Sequence, residues 1–293
     1  MATSEHIVVT GATGQLGRRV IADLLRIAPT AHVVGIVRAA SAAKDLADRG
    51  VELRAANYDD PASVAAALAG ADKVLLISSS EVGRRRASQH RNVIDAARAA
   101  GVKLLAYTSI LHADTNPMAL AVEHRETEAH IRSSGLPFVL LRNGWYTENY
   151  TGNLAAAVQH GAVLGAARDG RISSAARADF AAAAAVVLAS DATSQAGKIY
   201  ELAGDHAYTL PEYAAEIARQ SGKRVVYKDL PEGAYKIALQ GIGLPEAFAE
   251  IYAESDAKAA GNALYDGGRE LSRLIGRPTT TVAASIAEAL AVS

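Results

Sequence analysis

The chain has 293 residues, with 30 Lys and Arg against 31 Asp and Glu, so its formal net charge is −1. Half of the residues are hydrophobic, which is typical of a globular protein with a sizeable core. The near-zero charge disfavours nucleic acid as a partner. The sequence contains no cysteine, which excludes disulfides, thiolate metal sites and cysteine nucleophiles.

The sequence predicts neither a membrane-spanning helix nor a secretory signal. The longest apolar stretch, residues 180–189, is roughly half as long as a bilayer-spanning helix and predicts a buried helix instead. The N-terminus lacks the succession of charged, apolar and small residues that a secretory signal has. We therefore expect a cytoplasmic protein with no membrane partner.

The first half of the chain alternates between short apolar runs and helical patterns. Asp60 followed by Pro61 indicates a helix start, and Gly101 indicates a helix end. Strands are predicted at residues 6–10, 32–37, 51–55, 73–77, 103–109 and 137–142. This alternation predicts an α/β fold, a doubly wound parallel sheet of Rossmann type with helices on both faces.

After about residue 150 the pattern becomes mostly helical. A short strand is predicted at residues 198–202, and Thr209 with Glu212 forms a capping-box pattern that opens a helix at 211–220. Asp229 and Glu232 repeat the same spacing, which predicts a second capping box.

A glycine-rich segment follows the first predicted strand and opens the first predicted helix. Its glycines permit a tight turn, a close approach to a pyrophosphate and close helix–strand packing, and the helix start offers free N–H groups. The sequence thus predicts a dinucleotide site. Its residues are Thr10, Gly11, Ala12, Thr13, Gly14, Gln15, Leu16 and Gly17. We expect residues 1–150 to form the nucleotide-binding lobe, with some later segments packed on it, and residues 151–293 a smaller closing lobe.

The end of the second strand indicates which dinucleotide binds. An NAD or FAD site usually places a carboxylate there, whereas this strand ends in Arg38 and the next carboxylate is Asp45. An arginine can pair with a 2′-phosphate and stack on adenine. We therefore expect NADPH, with no flavin.

Two further strand ends supply polar candidates for the same cofactor. Asn57 follows the third strand and is a candidate for contact with adenine. Ser78, Ser79 and Ser80 close the fourth strand, where small hydroxyl residues allow close approach to the diphosphate and ribose. A plain turn remains the alternative for the serines.

Several blocks together resemble the NmrA-like atypical short-chain dehydrogenases, and within them most of all the type 2 NADPH:quinone oxidoreductases, with the triphenylmethane reductases as near relatives. The blocks are VTGATGQLG at 9–17, IVR at 36–38, LISSSEVG at 76–83, YTSILHAD at 107–114 and LRNGWY at 141–146. The resemblance extends over nearly the whole chain, to RAD at 177–179, YELAG at 200–204 and LIGRPT at 274–279.

The resemblance implies reduction of a small planar quinone by direct hydride transfer from NADPH, without flavin. By motif, it implies cofactor contacts from residues 10–16, Arg38, residues 78–80, Thr108 and Ser109. It also implies a nicotinamide and substrate side, with Arg177 reaching in from the smaller lobe. That side consists of Asn143, Gly144, Trp145, Tyr146, Glu148 and Asn149.

The chain departs from typical short-chain dehydrogenases in its catalytic pair. Their Tyr-x-x-x-Lys motif lies on the helix after the fifth strand, here residues 119–134, where our alignment places Leu120 and His124. Ketone chemistry needs a proton donor for an alkoxide. Quinone reduction gives an aromatic, better-stabilised anion, so the loss is compatible with a quinone reductase that mainly positions its substrate.

Candidates for direct participation in the reaction are His112, as a hydrogen-bond donor to a quinone oxygen, and Tyr146, which with Trp145 is able to stack on a planar ring. His124 and Glu128 have a spacing that can ligate a metal, but we interpret them, with His130, as a polar helix face and expect no metal. Two alternatives stay open: an NADP(H)-sensing regulator without turnover, and a reductase of triphenylmethane dyes or other xenobiotics. Monomer and homodimer are both compatible with the sequence.

Overall fold

The computed structural model describes residues 4–81 and 83–291. Val82, which belongs to the LISSSEVG block, lies outside the described residues. The structure confirms all six strands expected in the first half. They are β1 (His6–Val9), β2 (His32–Val37), β3 (Glu52–Ala55), β4 (Lys73–Leu76), β5 (Leu104–Ile110) and β6 (Phe138–Asn143). Their side chains are mostly buried, as expected of strands covered on both faces.

Helices alternate with these strands. They are α1 (Gln15–Ile27), α2 (Lys44–Ala47), α3 (Pro61–Leu68), α4 (Arg84–Ala99) and α5 (Ala119–Ser133), with a 3₁₀ turn at Ala40–Ala43. Helix α3 begins as predicted, because the Asp60 carboxylate accepts hydrogen bonds from the Ala62 and Ser63 amides. Gly101 follows α4 with a positive φ of 68°, the left-handed conformation that ends many helices.

The second half adds nine helices and three strands among the described residues. The helices are α6 (Glu148–Thr151), α7 (Leu154–His160), α8 (Arg177–Ala189), α9 (Ala192–Gln195), α10 (Leu210–Ser221), α11 (Glu232–Gly241), α12 (Glu246–Ala259), α13 (Glu270–Ile275) and α14 (Val282–Ala291). The strands are β7 (Ala162–Gly165), β8 (Ile199–Leu202) and β9 (Val226–Asp229). The C-terminal part is thus mostly helical, as expected, but β7 and β9 pair in a small parallel sheet that the sequence did not predict.

The large sheet has the strand order β3-β2-β1-β4-β5-β6-β8. The pairs from β3 to β6 are parallel. Strand β1 lies between β2 and β4, so the winding reverses there, and such a reversal opens a crevice at the carboxyl ends of the strands. The fold is therefore the predicted doubly wound Rossmann type.

The described residues form two compact units that interleave along the chain. The first takes the described residues within 1–113, 123–143 and 177–200, and the second takes those within 114–122, 144–176 and 201–293. The chain crosses between them several times, so the expected boundary at residue 150 does not coincide with a single crossing.

Helix α8, the alanine-rich helix predicted at residues 180–189, belongs to the first unit although it lies in the second half of the chain. Helix α8 packs against α1. Lys73 on β4, 1% exposed, donates from its ammonium to the Leu188 and Ser190 carbonyls at 3.0 and 2.6 Å and to the Glu5 carboxylate at 2.8 Å. A buried cation at the end of α8 is favourable because the carboxyl end of a helix carries partial negative charge.

One capping prediction is confirmed and one is wrong. At α10 the Thr209 side chain accepts from the Glu212 amide, and the Glu212 side chain accepts from the Thr209 amide. Asp229 instead ends strand β9, and its carboxylate accepts from the Arg168 amide at 2.9 Å and the Tyr227 hydroxyl at 2.7 Å. Helix α11 begins only after Pro231, without a side-chain cap.

Candidate active site

The glycine loop joins β1 to α1 in the first unit. Gly11 has φ +58°, which favours glycine, and its carbonyl accepts from the Gly14 amide at 2.9 Å. A Cβ at Gly17 would lie 2.4 Å from the Gly11 carbonyl oxygen, so glycine is required there for close packing. Gly14 caps α1 without a side-chain hydrogen bond, which leaves the first amides of the helix open to an anion.

A cavity of about 340 Å³ opens beside this loop at the carboxyl edge of the sheet. Loops after β1, β2, β3 and β4 contribute its wall, which is the arrangement expected at the point where the winding reverses. Eight predicted cofactor residues line it: Gly11, Thr13, Gly14, Arg38, Asn57, Ser78, Ser79 and Ser80. The structure therefore brings together the phosphate loop, the arginine and the serine segment.

Arg38 is exposed at the end of β2 and lines the cavity. Within residues 4–81 and 83–291, no hydrogen-bond or ion-pair partner of its guanidinium is found. Asp45, the first carboxylate after it, forms an ion pair with Arg18, and Arg18 also donates to the Thr13 carbonyl at 3.1 Å. The wall thus presents an unpaired cation, which is suited to a phosphate.

Buried side chains fix the backbone of the serine segment, residues 78–80 and the preceding Ile77, by hydrogen bonds. The Thr10 hydroxyl accepts from the Ile77 amide at 3.0 Å, and the Thr108 hydroxyl accepts from the Ser78 amide at 2.9 Å. Thr10 and Thr108 therefore act through the backbone of this segment, with their side chains buried beneath the cavity wall.

His90 on α4 holds the next residue of the segment. Its Nε2 accepts from the Ser79 amide at 2.9 Å, and its Nδ1 lies 3.0 Å from the Thr127 hydroxyl. That hydroxyl donates to the Glu123 carbonyl, so it accepts from His90 and the imidazole is neutral with its proton on Nδ1. Burial, together with nearby Arg86, lowers the pKa of His90 to about 3, which keeps this arrangement intact through neutral pH.

Sequence reasoning missed a polar cluster in the cavity wall formed by Asp59, Arg85 and Gln89. Asp59 accepts from Arg85 at 2.8 Å and from Gln89 at 3.0 Å, and these hydrogen bonds lower the pKa of its carboxyl group. The signal available was the position of Asp59 two residues after Asn57, at a strand end. The two residues on α4 carried no local motif.

Ser109 does not line the cavity. Its hydroxyl donates to Glu128 at 2.6 Å, and Arg142 donates to both oxygens of the same carboxylate at 2.9 and 2.7 Å. Glu128 is fully buried, and this bidentate pairing satisfies its charge. Neighbouring residues on a strand point to opposite faces, and Ser109 accordingly has different partners from Thr108.

The helix position that would hold a catalytic lysine carries a buried histidine. His124 is 5% exposed, and its Nδ1 shares a 2.7 Å hydrogen bond with the Tyr107 hydroxyl. Burial lowers the pKa of His124 and raises that of Tyr107, so both stay neutral at pH 7. Leu120 occupies the tyrosine position.

The metal candidates on α5 each have protein partners. Glu128 pairs with Arg142 and Arg132, His124 with Tyr107, and His130 with Asp95 at 3.1 Å. Across the part of the chain that the structure describes, no group of three or more His, Asp or Glu is placed to hold a metal. In the same residues no helix has the length and apolar character needed to span a bilayer.

The remaining predicted residues divide between the units. His112, in the loop after β5, has φ +53° and belongs to the first unit, as does Asn143, whose buried Oδ1 has no hydrogen-bond partner among the described residues. Arg177 begins α8 in the first unit, so the expectation that it belongs to the smaller lobe was wrong.

Residues 144–149 lie in the second unit. Trp145 is 8% exposed and makes an edge-to-face contact with Tyr252, with ring centroids 5.9 Å apart. Asn149 accepts from the Tyr252 hydroxyl at 3.3 Å, while Tyr146 and Glu148 are half-buried. The Trp145 ring is thus packed in the unit's own core.

Comparison with known proteins places the chain in a family. The model of the NmrA-like family matches residues 3–282, so the chain belongs to that family. It is 53% identical to quinone oxidoreductase 2 of Escherichia coli K12 over 280 residues, 96% of this chain and 97% of the relative.

Two solved structures are similar over almost the whole chain. The E. coli NADPH-dependent quinone oxidoreductase in complex with NADPH has a TM-score of 0.93 and 52% identity, covering 97% of this chain and 99% of that one. The triphenylmethane reductase of Citrobacter sp. with NADP(H) has a TM-score of 0.92 and 37% identity, with the same coverage.

Proposed function

We propose that this protein is an NADPH-dependent quinone oxidoreductase that transfers hydride directly to the quinone, without flavin or metal. The observation that carries the proposal is the 53% identity, over nearly the full length of both chains, to a protein named quinone oxidoreductase 2. The cavity beside the glycine loop supports NADPH as the cofactor, since a phosphate-binding loop and an arginine without an ion-pair partner among the described residues both line it.

The residues present fit NADPH. The open amides at the start of α1 would receive the diphosphate, and Arg38 would receive the 2′-phosphate. Asn57 would face the adenine, and Ser78 to Ser80 would lie along the diphosphate and ribose. When bound, NADPH supplies the hydride.

The protein's own contribution is mainly to bind and orient. The overall reaction consumes one quinone, one NADPH and one proton and yields hydroquinone and NADP⁺. His124 is buried and bonded to Tyr107, so it offers no substitute for the missing Tyr–Lys pair. Because a quinolate is a stabilised anion, water or a weak donor suffices to protonate it. The rate acceleration therefore comes mainly from positioning the quinone ring over the nicotinamide.

We assign cofactor binding and substrate binding to different parts of the chain. We propose that residues 1–150, with the later segments packed on them, bind NADP(H), and that residues 151–293 close over the substrate. His112 and Tyr146 remain the candidates for contact with the quinone. We keep the cytoplasm as the proposed location, which fractionation of the source cells would test.

The test is the loss of NADPH absorbance with purified protein, with and without a simple benzoquinone or naphthoquinone, corrected for the uncatalysed reaction. Rapid quinone-dependent oxidation without added flavin is expected, with NADPH preferred over NADH. Tight NADPH binding without turnover on several quinones and dyes would contradict the proposal and favour a cofactor-sensing protein instead.

A second activity is favoured by one observation. The 37% identity to a triphenylmethane reductase over nearly the whole chain supports reduction of cationic triphenylmethane dyes, which also accept a hydride. Decolorisation of such a dye in the same assay, with NADPH as donor, would show whether both activities coexist.

A further inference from the structure

The side chain of Arg18 on α1 joins two loops that border the cofactor cavity. Each of its three guanidinium nitrogens has a different partner: Nε donates to the Thr13 carbonyl at 3.1 Å, one terminal nitrogen donates to the Ala42 carbonyl at 3.0 Å, and the other is bonded to the Asp45 carboxylate. Thr13 belongs to the glycine loop, Ala42 to the 3₁₀ turn after β2, and Asp45 to α2. Arg18 therefore ties the glycine loop to the segment that follows Arg38.

Arg18 lies behind the cavity wall. Thr13 and Arg38 are among the described residues that line the cavity. Arg18 itself does not line it, and neither do Ala42 and Asp45. We therefore expect Arg18 to act on a bound cofactor through the loops that it holds, and not by contact.

On the side of the glycine loop, Arg18 fixes one peptide group. The peptide between Thr13 and Gly14 is planar and is bonded at both ends: its carbonyl accepts from Arg18 at 3.1 Å, and its amide donates to the Gly11 carbonyl at 2.9 Å. This peptide leads into the first turn of α1, whose open amides would receive the diphosphate. The bond to Gly11 does not involve Arg18, so the loop keeps one of its two restraints when Arg18 is lost.

On the other side, the segment between β2 and α2 has few apolar anchors. Its 3₁₀ turn consists of three alanines and a serine, and within the turn only Ala43 is buried. The next buried side chain is Leu46 on α2. Because an alanine side chain buries little apolar area, the hydrogen bond from Arg18 to the Ala42 carbonyl is a substantial restraint on the turn.

This segment begins directly after Arg38, which would receive the 2′-phosphate. Arg38 is exposed, and a long side chain loses conformational entropy when it binds a ligand. The total cost of ordering is smaller when the backbone beside the side chain is already in place. NADP⁺ has to meet the glycine loop and Arg38 at the same time, so a fixed spacing between the two favours it. NAD⁺ lacks the 2′-phosphate and does not depend on that spacing.

We propose that Arg18 is a positioning residue for the 2′-phosphate, and that it raises the preference for NADP(H) over NAD(H) by holding the segment after Arg38 against the glycine loop. The inference rests on the NADPH binding of the proposed function. It extends that function to a residue that does not line the cofactor cavity.

Titration calorimetry of the full chain with NADP⁺ and with NAD⁺, in the absence of quinone, gives both dissociation constants. Wild type should bind NADP⁺ more tightly. Arg18→Ala should weaken NADP⁺ binding by roughly three- to tenfold, the cost of ordering about one long side chain. The same variant should change NAD⁺ binding by less than about twofold, because the bond between Gly14 and Gly11 stays. Arg18→Lys keeps the charge, but its compact ammonium cannot reproduce the planar fork that meets three separate partners, so it should weaken NADP⁺ binding almost as much.

Two further variants separate positioning from charge. Arg19→Ala removes the same charge from the next position of α1, where Arg19 is exposed and has no hydrogen-bond or ion-pair partner among the described residues. Both affinities should stay at their wild-type values. The double variant Arg18→Ala with Asp45→Ala removes the whole ion pair, and NADP⁺ binding should stay weak because the backbone carbonyls still lack their donor. Urea unfolding of each variant should show a retained fold, since the side chains of the pair are 35% and 61% exposed.

The outcomes keep the two proposals apart. Equal losses for NADP⁺ and NAD⁺ in Arg18→Ala, full NADP⁺ affinity in Arg18→Lys or in the double variant, or the same loss in Arg19→Ala would each overturn the positioning role, even when quinones are reduced. A wild type that binds both dinucleotides equally would overturn it as well. If the variants show the expected pattern but no quinone is turned over, the positioning role is supported and the proposed function fails.

Discussion

Replacing Asp256 with asparagine should change how the stability of the protein depends on pH. Asp256 lies on α12, is 3% exposed and accepts hydrogen bonds from the Tyr150 hydroxyl at 3.0 Å and the Ala166 amide at 3.2 Å. Among the described residues, no ion pair to a lysine, arginine or histidine compensates its charge. Burial therefore raises the pKa of its carboxyl group from 3.8 to about 6.

The sign follows from proton binding. Between pH 4 and pH 6 the folded protein holds a proton on Asp256 that the unfolded chain has already released, so this residue's contribution to stability falls as the pH rises. A difference of about two pKa units corresponds to roughly 3 kcal/mol, and the full cost applies above about pH 6. An asparagine does not ionise and does not incur this cost.

The assay is urea unfolding of wild type and Asp256→Asn at several pH values from about 4 to 7.5. The absolute effect of the substitution includes the changed hydrogen bonding to Tyr150 and Ala166. The informative quantity is thus the difference between the two unfolding free energies as a function of pH. It should shift by roughly 3 kcal/mol in favour of asparagine as the pH rises.

Glu216→Gln provides a control of opposite sign. The hydrogen bonds of Glu216 to Arg219 and Gln220 lower the pKa of its carboxyl group from 4.5 to about 2, so its contribution to stability is lost as the pH falls below about 4.5. The stability of the glutamine variant relative to wild type should therefore decrease with rising pH only at the acid end of the range and stay constant above about pH 5. A flat difference curve for Asp256→Asn, or one with the slope expected for Glu216→Gln, would refute the reasoning.

Three predictions concern the cofactor cavity. Gly17→Ala should lower NADPH affinity at least tenfold because of the 2.4 Å approach to a backbone oxygen, whereas Gly233→Ala, which meets nothing within 4 Å, should leave the affinity unchanged; fluorescence titration measures both. Arg38→Ala should raise the KM for NADPH far more than the KM for NADH, and equal effects would show that it does not contact the 2′-phosphate. His90→Leu should raise the KM for NADPH several-fold, because the Ser79 amide loses its hydrogen-bond acceptor. His90→Gln keeps an acceptor and should retain most of the NADPH affinity. Equal rises in KM for the two variants would contradict a positioning role.

Local signals were sufficient for much of the fold. The six strands, the cap at Asp60 and the capping box at Thr209 depend on residues close together in the sequence, and all are confirmed. The same capping pattern at Asp229 was misleading because pairing of β9 with β7, more than sixty residues away, decides that position. Propensity within a short window contains no information about such a partner.

The candidate site divides in the same way. The glycine loop, Arg38 and the serine segment follow directly after strands, and the parallel sheet brings strand ends together at one edge. Arg85 and Gln89 enter the wall from a helix, and no spacing in the sequence connects them with Asp59.

The return of α8 to the first unit has a consequence for biosynthesis. The apolar side of α1, complete at residue 27, packs against a helix that ends at residue 189, and the ammonium of Lys73 meets its final carbonyls there. At ordinary rates of translation the ribosome needs roughly 8 to 32 s to add the intervening residues. During that time the nascent chain carries an uncovered apolar helix. We therefore expect chains that stop before residue 190 to aggregate or engage chaperones, even when they include every strand from β1 to β6.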